Sequence, residues 1–404
     1  MRTLLLTALL LAPLAAQTTP GGLWDVTLTV DTPPMQAYTV PCRMEFQGTA
    51  AALKTAILDG DNRIWSTSGE VANGRLHIRW DYFDSDLNAE FSGGAWRGAY
   101  TRRTRAGLVR RAFEARPYKA VAVAGDVNPG LAGNWILKAE SKSRGAAMEA
   151  LFRQSGPEVT GTIQRIDGDF GVLSGKLTEN HAVLSHFDGI RATLIEITLL
   201  ADGTLEGLIG KRTRFTGVRS DAAAAKGLPQ PPDPARYTSV QDPSQPFAFR
   251  FQDPAGQWVS NEDPQFKNKV VIVTLTGSWC PNCHDEAPML ANLYRAYHAK
   301  GLEIVALGFE YTGEVERDRE QLRAFGRRHS LPYTILLAGT TEDGDVQRKL
   351  PQIKDFGAFP TTFFLGRDGR VRSVHAGFAG QANPAQHSQL VKETDELIKR
   401  LLAE

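Results

Sequence analysis

Apolar and polar residues alternate along Trp24-Asp25-Val26-Thr27-Leu28-Thr29-Val30 and again along Arg75-Leu76-His77-Ile78-Arg79-Trp80. That period of two marks strands with one buried face. Asn73-Gly74 and Asp202-Gly203 sit between such runs, where a tight hairpin turn needs positive φ. The pattern predicts a β-rich region from residue 20 to about 218. Parts of it recur. Gly22-Leu23-Trp24 returns as Gly133-Asn134-Trp135, Asp59-Gly60-Asp61 as Asp167-Gly168-Asp169, and Ser68-Gly69 as Ser174-Gly175. The offset stays near about 110 residues, which predicts two similar antiparallel units. Each is short for an independent core, so the expected fold is a duplicated all-β region, barrel or sandwich.

The pattern changes after residue 218. Ala222-Ala223-Ala224-Ala225 and Pro229-Gln230-Pro231-Pro232-Asp233-Pro234 read as a linker with some stiffness, over 219–240. Beyond it, strand and helix patterns alternate. Phe247 to Phe251 alternates, and Val270 to Leu275 is a buried strand. Ala287 to Lys300 has helical period, Leu302 to Phe309 is a second buried strand, and Glu314 to His329 is helical. Tyr333 to Leu337 is a further strand, and Thr362 to Leu365 with Val371 to His375 forms a hairpin. A last helix, capped by Ser388, puts Leu390, Val391, Leu397, Ile398, Leu401 and Leu402 on one face. Such alternation predicts an α/β domain over 241–404.

Composition narrows the function. A chain of 404 residues has room for two or three domains. A formal net charge of +1 and 23% charged residues argue against nucleic-acid binding through phosphates. The basic runs at Arg102-Arg103-Thr104-Arg105 and Arg110-Arg111 read as a solvated sheet face. Met1-Arg2, apolar Leu4 to Leu14 and Ala15-Ala16 predict a secretory signal peptide over 1–16, too short to span a bilayer. The expected mature units are then 17–125, 126–218, the linker and the α/β domain, in a periplasmic or other extracytoplasmic space and not membrane-spanning. Disulfides persist there. The cysteines are Cys42, Cys280 and Cys283, so this is not a disulfide-stapled scaffold.

Two of them carry the chemistry. Trp279-Cys280-Pro281-Asn282-Cys283 follows a buried strand and opens a helix. At a helix N-terminus, unpaired N–H groups and the dipole favour a thiolate at Cys280, with Cys283 one turn on as the resolving thiol. Cys280 is expected to be exposed and attacking, flanked by Trp279, and Cys42 to be a small, unreactive buried thiol.

Cys280-x-x-Cys283 after Trp279, Glu286 and Pro288 in the same helix, and Gly357-Ala358-Phe359-Pro360-Thr361 before a strand together resemble thioredoxin-like proteins of the TlpA/ResA type. The resemblance spans roughly Phe247 to the C-terminus and does not reach residues 20–235. It implies a thioredoxin-like fold for the C-terminal domain and a thiol–disulfide oxidoreductase. A kinking Pro288 and a cis Pro360 facing the cysteines are implied with it. Phe359, Pro360 and Thr361 would then pair with substrate. Glu286 would move a proton and raise nearby thiol pKa values. The implied direction is reduction of a disulfide-bearing protein or small thiol substrate, with electrons from a membrane donor.

Rival readings exist. Cys280 to His284 also spells C-x-x-C-H, a c-type haem attachment motif, and a lone reactive Cys280 would suit a thiol peroxidase. The β-rich half could instead be a binding module, with the thiols servicing it. No cofactor or metal is expected: two cysteines without a second pair make a poor zinc site, and His181 and His186 read as solvated or hydrogen-bonded. Glu310 reads as a solvated strand-end carboxylate, and the tryptophans at strand spacing, Trp24 to Trp135, as core.

Overall fold

A computed structural model describes residues 19–31, 33, 36–120, 130–141 and 144–404. The signal-peptide expectation falls on residues outside this set.

Among the described residues the N-terminal half is all β. Nine antiparallel strands between Gly22–Val30 and Gly107–Pro117 form the first sheet. Its two edges are Asn62–Trp65 and Ser68–Ala72. Only two residues separate these edge strands in sequence, so the sheet has to roll until its edges meet. Val71 N–H donates to Ala50 O at 2.7 Å across the seam. Asn73 and Gly74 have φ of 51° and 76°, as the Asn-Gly turn requires. Trp24, Trp80, Trp96 and Tyr100 fill the interior.

The second sheet closes completely. Ala147–Ser155 pairs with Gly133–Ala139 on one side and Glu158–Arg165 on the other, completing an eight-stranded barrel. An eight-stranded barrel is just wide enough for side chains to fill, and here Trp135, Phe152 and Phe215 do so. The short strand Gly168–Asp169 hangs from its rim. The two β units pack side by side. Tyr100 Oη donates to Gly189 O (2.6 Å) and Val172 N–H to Asp59 Oδ1 (2.7 Å). Phe187, Ile190 and Leu194 of the barrel segment join the first unit's core.

Between the barrel and the α/β domain, the proline-rich stretch ends in a short helix, Pro234–Tyr237, capped by Asp233. The C-terminal sheet has seven strands in the order Trp258–Ser260, Arg250–Gln252, Thr334–Thr340, Leu302–Glu310, Val270–Thr276, Thr361–Leu365, Val371–Ala376. Its three central strands are parallel, and each flank is antiparallel. Every residue of Val270–Thr276 and Leu302–Glu310 is buried, because apolar layers cover both faces. This is a thioredoxin-like α/β domain.

Three expectations for this domain shift. Phe247 and Phe249 are buried, yet only Arg250–Gln252 is strand; the alternation marked core contacts rather than a ladder. The redox helix runs Pro281–Tyr297 and continues through Pro288. The last helix is Pro384–Ala403, capped by the Asn383 side chain, which accepts from Gln386 N–H, and not by Ser388. Asn-Pro supplies both an N-cap acceptor and a first-turn residue that lacks only an unneeded donor.

Candidate functional site

The fully buried strand Val270–Thr276 ends at the site, where Gly277-Ser278-Trp279 turns the chain into the redox helix. Cys280 is the N-cap of that helix: its Sγ accepts from Cys283 N–H at 3.2 Å. The two sulfurs form a disulfide with Cα atoms 5.2 Å apart. The Phe359–Pro360 peptide is cis. Pro360 O accepts from Gly377 N–H (2.7 Å), and Thr361 Oγ1 donates to Ala358 O (2.7 Å). Trp279 stacks on Tyr311 with centroids 5.1 Å apart and meets Phe359 edge-on at 5.3 Å. Its indole N–H donates to Phe309 O. The structure thus brings together Trp279, Cys280, Phe359 and Pro360, and adds Tyr311.

Cys280 is only 3% exposed, against the expectation of an exposed sulfur. The β units cover it. Asn282 Nδ2 donates to Asp167 O of the barrel at 2.7 Å, and Gly168 pairs with Phe378 in a parallel bridge. At Gly377 (φ +75°) a Cβ would lie 2.0 Å from Ile166 O, so the barrel rim touches backbone there. From the other side, the turn Asp81–Phe83 of the first sheet lays Phe83 4.9 Å from the His284 ring. Arg317 of the helix Val315–His329 pairs with Asp84 at 2.8 Å. What remains above Cys280 is a cavity of about 790 Å³. Cys280 lines it, together with Trp279, Tyr311 and Phe359.

Two buried carboxyls lie beneath. Glu286 Oε2 accepts from Thr274 Oγ1 (2.8 Å) and Oε1 from Thr362 Oγ1 (2.6 Å). Burial pushes it up to about 7, against the pull of the two hydroxyls. Thr361, the neighbour of that second threonine, is itself fully buried. Glu310 is also fully buried, correcting its reading as a solvated carboxylate. It accepts from Ser278 N–H (2.7 Å) and Ser278 Oγ (2.8 Å), and burial pushes it up to about 7. It therefore clamps the turn that sets Trp279. Asp285 is raised too, by burial first and then by Asp169 and Asp59 of the β units.

His284 is locked in place. Its Nε2 faces Ser278 O at 2.8 Å and its Nδ1 faces His329 Nε2 at 2.8 Å. With Nε2–H donating to the carbonyl, Nδ1 accepts from His329, so the neutral ring satisfies both contacts. Burial holds His284 down at about 4. Both nitrogens are engaged and neither is offered to the cavity, so His284 does not fit the axial-ligand role that C-x-x-C-H suggests.

The comparisons with known proteins map onto this half of the chain. The Redoxin family model matches residues 240–390. The C-terminal region is a Redoxin domain. Over 127 residues it is 28% identical to the thiol-disulfide oxidoreductase ResA of Geobacillus thermodenitrificans, covering 31% of this chain and 66% of that protein. Over 154 residues it is 25% identical to ResA of Bacillus subtilis, covering 38% and 78%. A solved putative DsbE-type thiol:disulfide interchange protein from Chlorobium tepidum is 21% identical, covering 39% of this chain and 97% of its own, with a TM-score of 0.31. The Redoxin domain holds every residue quoted for the TlpA/ResA resemblance.

The β units hold what the sequence left unassigned. His186 is buried and ion-paired, as a hydrogen-bonded histidine should be: Nδ1 lies 3.4 Å from Asp59 and Nε2 3.1 Å from Asp188. Burial lowers its pKa, but Asp59 and Asp188 outweigh that and raise it to about 10. His181 is exposed, with Thr198 in reach. Cys42 is half-buried against the first core, and burial pushes its thiol up. The basic runs divide: Arg103 and Arg110 face solvent, whereas Arg102 is buried and Arg111 partly so. Alternation could have shown this, since Arg102 shares a face with Trp96 and Tyr100. Among the described residues no group of three or more His, Cys, Asp or Glu is arranged to hold a metal ion, and no helix is long and apolar enough to cross a membrane.

Proposed function

We propose that the protein is a thiol–disulfide oxidoreductase that works as a disulfide reductase in an extracytoplasmic space. The observation that carries this is the Cys280–Cys283 disulfide at the start of the redox helix, with Cys280 the sulfur that lines the cavity together with Trp279 and Phe359. In the reduced protein the Cys280 thiolate, favoured by the Cys283 N–H and the helix N-terminus, attacks a substrate disulfide R–S–S–R. One R–S⁻ leaves and takes a proton, and a mixed disulfide remains on Cys280. Cys283 then attacks Cys280 Sγ, giving the Cys280–Cys283 disulfide and the second R–SH. Two electrons pass to substrate, and an external dithiol donor, in this reading a membrane protein, restores them. Of the Phe359-Pro360-Thr361 loop, Phe359 lines the cavity and is the part that meets the substrate, while Pro360 and Thr361, bonded to Gly377 and Ala358, hold it in place.

Glu286, one helical turn past Cys283, takes up or supplies the thiol proton near neutral pH. When ionised it opposes the thiolate, which favours a reducing site. The experiment is trapping. Cys283→Ser should accumulate mixed disulfides through Cys280, and Cys280→Ser none; the opposite outcome would reverse the roles. Equilibration with a dithiothreitol couple then gives the potential, and a value near about −120 mV would replace the reductase by an oxidase.

A further inference from the structure

The cavity over Cys280 is walled by two arginines from the first sheet that have no ion pair among the described residues; Arg102 lies 5.8 Å from the centroid of the Tyr311 ring. Arg102 lies on the strand Ala95–Thr104, on the face that also carries Trp96 and Tyr100. Arg111 pairs directly across from Tyr100 in the neighbouring strand. Both occupy the inner face of a rolled sheet, where apolar residues are the rule, at the end that meets the Redoxin domain. Arg102 is 6% exposed, and its buried Nε has no hydrogen-bond partner. Arg111 leaves both Nε and Nη1 buried and unpartnered. Buried guanidinium donors are almost always paired, because leaving them bare forfeits their hydration.

The other charges around the cavity are already matched. Arg165 lies 3.2 Å from Asp167, Arg191 2.8 Å from Asp188, Asp343 3.2 Å from Arg105, and Glu342 3.7 Å from Arg348. Tyr100 offers Arg111 no anion, since burial pushes its hydroxyl up to about 12. Arg102 and Arg111 are therefore the charged groups of the lining without an ion pair among the described residues, and both line the cavity that Cys280 lines.

We infer that the substrate is a small anionic disulfide, a peptide-like or amino-acid-like thiol dimer whose carboxylate is held by Arg102 and Arg111 while its sulfur meets Cys280. The inference rests on the oxidoreductase reading and names its substrate class. A volume of about 790 Å³ falls in the range of small-molecule pockets, roughly 300–1,000 Å³. The walls come from three units, and the 3% exposure of Cys280 leaves little room for a folded protein. Tyr311 and Trp279 supply an apolar flank for the carbon skeleton, and guanidinium groups match carboxylates in a planar, two-pronged geometry. The chemistry is the exchange written above: the substrate S–S bond breaks, the Cys280–Cys283 bond forms, and two molecules of anionic thiol leave.

The test uses the full-length reduced protein in single-turnover reduction of three disulfides: oxidised glutathione (anionic), hydroxyethyl disulfide (neutral) and cystamine (cationic). Each variant is scored by its glutathione-to-hydroxyethyl rate ratio, so differences in folding or intrinsic thiol reactivity cancel. Arg102→Gln and Arg111→Gln should each lower that ratio by about tenfold, the size of one lost charge-assisted contact. Arg102→Lys should restore part of it, and the cystamine-to-hydroxyethyl ratio should rise in the Gln variants. Unchanged ratios, or equal losses for all three substrates, would overturn the anion site while leaving the oxidoreductase reading intact. Wild-type protein that reduces none of the three would overturn the small-disulfide substrate, while the Cys283→Ser trapping judges the oxidoreductase reading separately.

Discussion

Replacing Glu286 by glutamine tests the electrostatics under the disulfide most directly. Glu286 is 4% exposed, and its carboxylate contacts are the Thr274 and Thr362 hydroxyls. Burial lifts it from 4.5 to about 7. A carboxyl raised on folding gives a stability that is whole below about pH 4.5 and is lost as pH climbs through about 7. The gap corresponds to a loss of ~3 kcal/mol by pH 8. Glutamine removes the titration while keeping both contacts, its carbonyl accepting from one threonine and its amide donating to the other. The stability of Glu286→Gln relative to wild type should therefore climb by about 3 kcal/mol between pH 4.5 and 8 and then level off. Urea unfolding of the oxidised protein across that range measures it, with the cysteines tied up in their disulfide and unable to titrate. In the reduced protein, the alkylation rate of Cys280 should show an inflection near 7 that the variant lacks. A flat stability difference would refute the account, and would mean that Glu286 is solvated or already paired with a charge.

Three further outcomes follow from the interfaces. Gly377→Ala, whose Cβ would meet Ile166 O at 2.0 Å on a positive-φ backbone, should dislodge the barrel rim; the reduced variant's Cys280 should alkylate faster than wild type. Phe83→Ala should cost ~3 kcal/mol and uncover His284, whose pKa should rise from about 4 towards the ordinary range in an NMR titration. His186→Gln takes the cation from between Asp59 and Asp188, leaving Asp188 with Arg191 and Asp59 without a charged partner, and should cost ~3 kcal/mol at neutral pH. The His186 pairing is complete below about pH 6.5 and fades as pH rises through about 10, so the wild-type advantage should shrink at high pH in thermal unfolding.

Much of the Redoxin domain was legible in the chain because its signals are local. A run rich in β-branched residues such as Val270–Thr276, closed by Gly277, reads as a strand covered on both faces, and Trp279-Cys-x-x-Cys at its end sets two sulfurs one turn apart. Glu286 and Pro360 came from a resemblance, and their environments came only with the fold. Glu310 shows the limit. At the end of its strand it looks like any solvated acid, yet the whole strand is buried and its carboxylate meets Ser278, 32 residues earlier in the chain.

The sequence by itself determined the α/β domain, the β character of residues 20–218 and the paired cysteines, since periodicity and short-range spacing are written in neighbouring residues. Tertiary structure alone decided that one β unit closes into a barrel while the other only rolls up, for strand pairing joins residues far apart. It also decided that both units lie against the redox helix, burying Cys280 and leaving a partly open cavity over it. The contacts that do this, Asn282 to Asp167, Arg317 to Asp84 and Phe83 to His284, join residues more than one hundred positions apart. Each is made of ordinary surface-compatible side chains, so nothing in their own neighbourhoods marks them. Arg102 and Arg111 belong to the same class: basic residues in a strand until the packing of three units puts them in the wall of the cavity that Cys280 lines.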